Sequence, residues 1–214
     1  MKKEICVLFD MDGVMIDTET QYDVIWKHIG DRYNVGIPHF EKIIKGTTLP
    51  NIMKKYFSEQ TDEERKNIEK MIDDFETNME FPEIPGSLKF VDELKGNGIK
   101  VGLVTSSTQT KLNAVNKVRH FDKLFDTIVA AERVVQGKPN PECYLLAAKD
   151  LNVDPKDCVV FEDSFAGLEA GKAAGMTVVG LCTTHEAQKL MPYTDTIIPD
   201  FKNFGLVELE AIVK

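Results

Sequence analysis

Two aspartates, Asp10 and Asp12, follow the apolar run Ile5-Cys6-Val7-Leu8 and Phe9, and Gly13 comes directly after them. In extended backbone the i, i+2 spacing points both side chains the same way, so two anions meet at one strand end. Like charges at that range raise one another's pKa unless a cation sits between them. A hard divalent ion with oxygen ligands resolves the repulsion. Mg²⁺ in particular takes one or two carboxylates and completes its shell with water and phosphate. Taken alone, Asp12-Gly13 also reads as a polar turn after a buried strand.

Three further stretches bear on that choice. Thr105-Ser106-Ser107-Thr108 places four hydroxyls between an apolar run and a helix. Hydroxyls and backbone N–H groups at a helix N-terminus form an anion cradle, although helix capping alone needs just one of them. Gly137-Lys138-Pro139 holds a lysine on a stiff turn, which suits a positioned cation, where a solvated loop lysine is the plain alternative. Phe161-Glu162-Asp163-Ser164 sets two acids after another buried run, a pattern that a helix dipole also favours. Acid pair, hydroxyls, lysine and acid pair, each beside the end of a predicted strand, together describe a site for Mg²⁺ and a phosphoryl group.

The elements that must position these residues alternate in kind. The first run is short and apolar without alternation, as a strand buried on both faces should be. From about residue 18 to 81 the pattern is helical. Thr18 with Gln21 predicts a capping box, followed by Tyr22, Ile25, Trp26, Ile29 and Tyr33 on one helical face. Short helical pieces are predicted at Phe40–Lys45 and Asn51–Phe57. A second capping box, Thr61 with Glu64, opens the helix of Ile68, Met71, Ile72, Phe75 and Met79. Pro82 and Pro85-Gly86 mark the exit. Strands are then expected at 100–105, 127–131, 159–161, 177–181 and 195–198, with helices between them, one opened by Asn140-Pro141. Alternation of this kind predicts a parallel doubly wound sheet, in which ligands lie outside the carboxyl ends of the strands.

The chain has 214 residues and a formal net charge of −9, which argues against a nucleic-acid partner or an acidic membrane surface. A small anionic substrate needs only local positive charge. Cys6, Cys143, Cys158 and Cys182 are widely spaced and read as reduced core residues of a cytoplasmic protein, with no zinc or disulfide pattern. The apolar run behind Lys2 and Lys3 is about five residues, shorter than a signal-peptide core. No stretch has transmembrane length.

Taken in order, Asp10-Met11-Asp12-Gly13-Val14, Leu103-Val104-Thr105-Ser106-Ser107, Gly137-Lys138-Pro139 and Phe161-Glu162-Asp163-Ser164-Phe165-Ala166-Gly167 resemble the four motifs of the haloacid dehalogenase superfamily. The closer resemblance is to its β-phosphoglucomutase-like phosphatase branch. It spans nearly the whole chain and implies an α/β fold, with a Rossmann-like doubly wound parallel sheet core and an inserted helical cap of the C1 type. Core is then expected at 1–16 and 83–214, and cap at 17–82. The resemblance implies Asp10 as nucleophile and Asp12 as general acid and base. It implies Thr105, Ser106 and Lys138 as phosphate-binding. Mg²⁺ would be held by Asp10, Asp12 through its backbone carbonyl, and Asp163, with Glu162 in or near the shell.

Cap residues Lys45, Gly46 and Thr47, with the helix face of Tyr22 and Trp26, are candidates for touching the leaving group, packing within the cap being the alternative for the last two. The implied hinges lie near Met15–Thr18 and Phe81–Pro85, and cap closure would exclude water. Two departures bear on the reaction. Leu49 stands where a mutase of this family carries a phosphate-gripping arginine, and Tyr22 stands where it carries a histidine. Hydrolysis of a small phosphorylated metabolite, a sugar or polyol phosphate, is therefore favoured over the mutase reaction. A haloacid dehalogenase needs neither Asp12 nor the Glu162-Asp163 pair, and a non-catalytic relative would have lost Asp10 or Asp12. A monomer is the default expectation.

Overall fold

The structure, a computed structural model, describes residues 5–45, 47–194 and 196–213. Among the described residues, six strands form one parallel sheet: β1 (Cys6–Phe9), β2 (Lys100–Val104), β3 (Thr127–Val129), β4 (Cys158–Glu162), β5 (Thr177–Leu181) and β6 (Thr196–Ile198). Their order is β3-β2-β1-β4-β5-β6, so the chain reverses its direction of winding at β1. That is the doubly wound arrangement, with its ligand crevice at the switch point. Every residue of β1 and β4 is buried, which is why β1, and β4 as far as Phe161, read as apolar runs.

The chain divides into two compact units. One consists of Thr18–Glu80, and the other of the residues through Asp17 together with those from Phe81 onward. The first unit is helical: α1 (Glu19–Arg32), α2 (Phe40–Ile43), α3 (Leu49–Tyr56) and α4 (Asp62–Asn78). Its core gathers Trp26, Ile29, Phe40, Ile52, Phe57, Ile68 and Ile72, with Trp26 edge-on to Phe40 at 6.2 Å between ring centroids. The capping box of Thr61 and Glu64 is formed. That of Thr18 is not: the Thr18 side chain makes no cap bond. Gln21 instead exchanges hydrogen bonds with the backbone of Glu80, at 2.7 and 2.8 Å, tying the start of the unit to its end.

The second unit carries the sheet with α5 (Ser87–Gly96), α6 (Gln109–Arg119), α7 (Phe121–Leu124), α8 (Glu142–Leu151), α9 (Phe165–Ala173), α10 (Ala187–Leu190) and α11 (Leu206–Ile212). Alternate β1 side chains serve opposite faces. Cys6 and Leu8 join a core with Tyr144, Ala147, Ala148 and Leu151 of α8. Phe9 stacks on Phe161 at 5.3 Å and meets Phe90 and Phe201 at 6.0 Å. Pro141 caps α8 instead of occupying its first turn, and Glu162 is the last residue of β4, one beyond the predicted strand. Asp17 N–H donates to Pro82 O, and Ile16 bridges Glu83, so the two strands of chain that leave this unit are paired. In register, Phe9 lies between Leu103 and Phe161. The first residues past β1, β2 and β4 therefore emerge side by side, in the middle of the sheet.

Candidate active site

Lys138 organises what emerges there. Its Nζ donates to Asp10 Oδ1 at 2.5 Å, to Glu162 Oε1 at 2.5 Å and to Val104 O at 3.3 Å, so it joins β1, β2 and β4 through one ammonium. The loop that carries it is pinned from α8, where the Glu142 carboxylate accepts from the N–H groups of Val135 and Gln136, each at 2.9 Å. Below it lies Tyr144, buried, with its ring 5.1 Å from Lys138 Nζ and its hydroxyl donating to Glu162 Oε1 at 3.1 Å. Burial alone would lower the Lys138 ammonium. The charges of Asp10 and Glu162 outweigh it and hold the group well above the ordinary lysine range.

Asp10, Glu162 and Asp163 are all buried, and one oxygen from each lies within 4.8 Å of the others. Burial, reinforced by the charges of Glu162 and Asp12 and opposed by Lys138, pushes the Asp10 carboxyl up to about 8. Three carboxylates over the Lys138 ammonium leave excess negative charge, and every donor is a hard oxygen. Such a set fits a divalent cation of the Mg²⁺ kind. The cluster is also cut to size by glycines. Gly13, at φ 76°, would place a Cβ 2.0 Å from Asp163 Oδ2, and Gly167 would place one 1.7 Å from Glu162 Oε1.

Glu162 differs from its neighbours in how its oxygens are used. Oε1 accepts from Lys138 and Tyr144. Oε2 accepts from Asp163 N and the Ser164 N–H and hydroxyl, at 2.9–3.0 Å. Its carboxylate thus fixes the turn between β4 and α9 and anchors the lysine. Thr184 Oγ1 donates to Asp163 Oδ2, and Thr183 Oγ1 donates to Gly13 O at 2.5 Å.

Thr105 is buried just past β2, with its N–H on Val129 O at 2.8 Å and its hydroxyl oxygen accepting from Ser107 N at 3.0 Å. Ser106 is exposed on the same turn. Asp12, half-buried, is turned toward this turn. Its Oδ2 accepts from Ser107 Oγ at 2.8 Å, and its Oδ1 accepts from Lys111 Nζ at 2.7 Å.

Asp10, Asp12, Thr105, Ser106, Lys138, Glu162 and Asp163 thus share the carboxyl edge of the sheet. The residues expected in the helical unit are engaged within it. Lys45 pairs with Glu19 and Asp23 of α1 at 3.4 and 3.3 Å, and Thr47 N–H donates to Ile44 O at 3.0 Å. Gly46 lies outside the described residues. Trp26 is core of the helical unit, and Tyr22 donates to Glu76 at 2.6 Å, so both serve packing and bonding inside the unit. Sequence reasoning passed over Lys111, Thr183, Thr184 and Tyr144, and placed Ser107 among the cradle hydroxyls without its bond to Asp12. The two threonines follow β5 and were within reach of the strand-end rule.

The doubly wound sheet brings carboxylates, hydroxyls and a buried lysine together at its switch point, and comparison with known proteins gives the family. Residues 7–181 match the family described as haloacid dehalogenase-like hydrolase. The chain belongs to that family. It is 37% identical over 187 residues to the phosphorylated carbohydrates phosphatase of Thermotoga maritima, covering 79% of this chain and 81% of that one. It is 32% identical over 191 residues to the β-phosphoglucomutase of Bacillus subtilis, covering 82% of each. In structure it resembles a family IA, variant 3 haloacid dehalogenase hydrolase from Entamoeba histolytica. That match has a TM-score of 0.85 and 24% identity, and covers 98% of this chain and 99% of the other. Among the described residues, no helix is long and apolar enough to cross a membrane.

Proposed function

We propose that the chain is a Mg²⁺-dependent phosphatase that releases phosphate from a small phosphorylated carbohydrate through an aspartyl-phosphate on Asp10. The single observation that carries this reading is the Asp10 carboxylate, buried, bonded to Lys138 and clustered with Asp163 at the switch point of the sheet. Mg²⁺, held by Asp10, Asp163 and the backbone carbonyl of Asp12, would offset the charge of a phosphoryl dianion beside a carboxylate.

Asp10 attacks phosphorus, and the bond to the leaving oxygen breaks as that oxygen takes a proton from Asp12. Asp12 then takes a proton from water, which attacks the phosphorus of the aspartyl-phosphate. Inorganic phosphate leaves, and Asp10 is regenerated. Thr105 and the Ser106 N–H hold phosphoryl oxygens, and Lys138 neutralises charge between nucleophile and phosphoryl group. Positioning and fixed charge thus carry the catalysis. Glu162, whose oxygens are engaged by the turn, the tyrosine and the lysine, sets the place of Lys138.

Phosphatase names among the relatives support hydrolysis of a carbohydrate phosphate. The likeness to β-phosphoglucomutase supports a second reading, phosphoryl transfer back to a bound sugar phosphate. Leu49, where the family resemblance puts a mutase's phosphate-gripping arginine, packs on the core of the helical unit and offers no second phosphate grip, which favours water as acceptor. The test is phosphate release from p-nitrophenyl phosphate and from a panel of sugar phosphates, with Mg²⁺ and with EDTA. Release that needs Mg²⁺ and is lost in Asp10→Asn is expected. Mg²⁺-independent release, or release undiminished in Asp10→Asn, would overturn the reading.

A further inference from the structure

Lys111 occupies a place that folding alone disfavours. It lies in the first turn of α6, where the helix dipole favours anions over cations, and its side chain is only 2% exposed. A buried ammonium is costly unless paired and hydrogen-bonded. Its partner is Asp12, at 2.7 Å from Nζ, and the second Asp12 oxygen is taken by Ser107 at 2.8 Å. The two acids that open the site are thereby divided between two lysines. Asp10 is bonded by Lys138 from the loop before α8, and Asp12 by Lys111 from α6. With both its oxygens engaged, the plane of the Asp12 carboxylate is fixed relative to β2 and to Thr105.

We infer that Lys111, with Ser107, is a positioning residue for proton transfer: it aims the Asp12 carboxyl at the leaving oxygen and touches neither the phosphoryl group nor the nucleophile. This rests on the reading of Asp12 as general acid. Removal of the grip should therefore hurt in proportion to how much the leaving group needs a proton. A p-nitrophenolate departs as a weak base and needs little help, whereas phenolate, a base like the tyrosine side chain with its pKa of about 10, needs more. The ratio kcat/KM reports steps up to the first irreversible one, the departure of the leaving group, and so isolates this contribution from the later attack of water.

The experiment compares kcat/KM for p-nitrophenyl phosphate and phenyl phosphate, with Mg²⁺, in the full chain and in Lys111→Met, Ser107→Ala, Asp12→Asn and the double variant Lys111→Met/Asp12→Asn. Lys111→Met should lose about 10- to 100-fold on phenyl phosphate and less than about threefold on p-nitrophenyl phosphate, within the range of general acid catalysis. Ser107→Ala should show the same selective pattern at smaller size, and it decides the matter if the lysine variant fails to fold. The double variant should be no slower than Asp12→Asn alone. Equal losses on the two esters in Lys111→Met or Ser107→Ala, or additive losses in the double variant, would show a merely structural role and overturn the inference. Equal losses in Asp12→Asn itself would instead overturn the general-acid reading on which it rests.

Discussion

Asp10 and Asp12 are two residues apart in sequence and are held by different elements, Asp10 by Lys138 and Asp12 by Lys111, as the proposed division into nucleophile and proton carrier requires. Burial first, then the Glu162 and Asp12 charges, raise the Asp10 carboxyl to about 8, against an unfolded value of about 4. The sign of the consequence follows from linkage. Without metal, the folded chain keeps a proton that the unfolded chain has lost between those two values. The stability this group contributes is therefore full below about pH 4 and is lost as pH rises through about 8. A cation that binds Asp10 displaces that proton, so its affinity should climb across the same interval. Melting temperatures in EDTA should fall from pH 5.5 to about pH 8, while the increment given by Mg²⁺ should grow; an increment independent of pH would contradict this assignment. At Gly13 the constraint is steric. Gly13→Ala would push a methyl to 2.0 Å from Asp163 Oδ2 at a φ of 76° that L residues rarely adopt. Isothermal titration should show Mg²⁺ affinity weakened by about 10-fold or more, because the displaced Asp163 must rotate away from its neighbours.

At the scale of elements, the turn between β4 and α9 is built around one carboxylate. Gly167→Ala would set a Cβ 1.7 Å from Glu162 Oε1, and either α9 or the carboxylate must move. A loss of about 2–4 kcal/mol is expected in denaturant melts, since a buried carboxylate would give up several donors. In the helical unit, Thr61→Ala removes one half of the capping box of α4. It should cost about 1 kcal/mol of stability and leave turnover at 25 °C unchanged. Elements were legible in the sequence where one signal determined them. The both-face burial of β1 and of β4 before Glu162 gives continuous apolar runs, and the rule that ligands gather past strand ends pointed to Asp10, Thr105 and Asp163, which the sheet brings to one edge. Other features were illegible for physical reasons. Thr18 and Gln21 fit a capping-box pattern, yet Gln21 has a better partner in Glu80, 59 residues away. Lys111 reads as an ordinary helix lysine until the sheet brings Asp12 to it across 99 residues. The room that Gly167 leaves for Glu162 is a property of packing alone.

For the whole molecule, the order β3-β2-β1-β4-β5-β6 places β1 at the switch point, so four motifs scattered over the chain converge on one edge. With a net charge of −9, the proposed reaction would rely at that edge on its own lysines and on a bound cation to receive a phosphoryl group. Water is the expected acceptor. With β-glucose 1-phosphate as substrate, inorganic phosphate should form faster than the 6-phosphate isomer. The reverse order would assign the chain to the mutases. The decisive measurement is rapid acid quench during turnover of a phosphate ester, followed by peptide mapping of the phosphorylated chain. A hydroxylamine-labile phosphoryl group on Asp10 is predicted, absent in Asp10→Asn. A phosphoryl group on any other residue, or full turnover by a chain that never carries one, would contradict the mechanism.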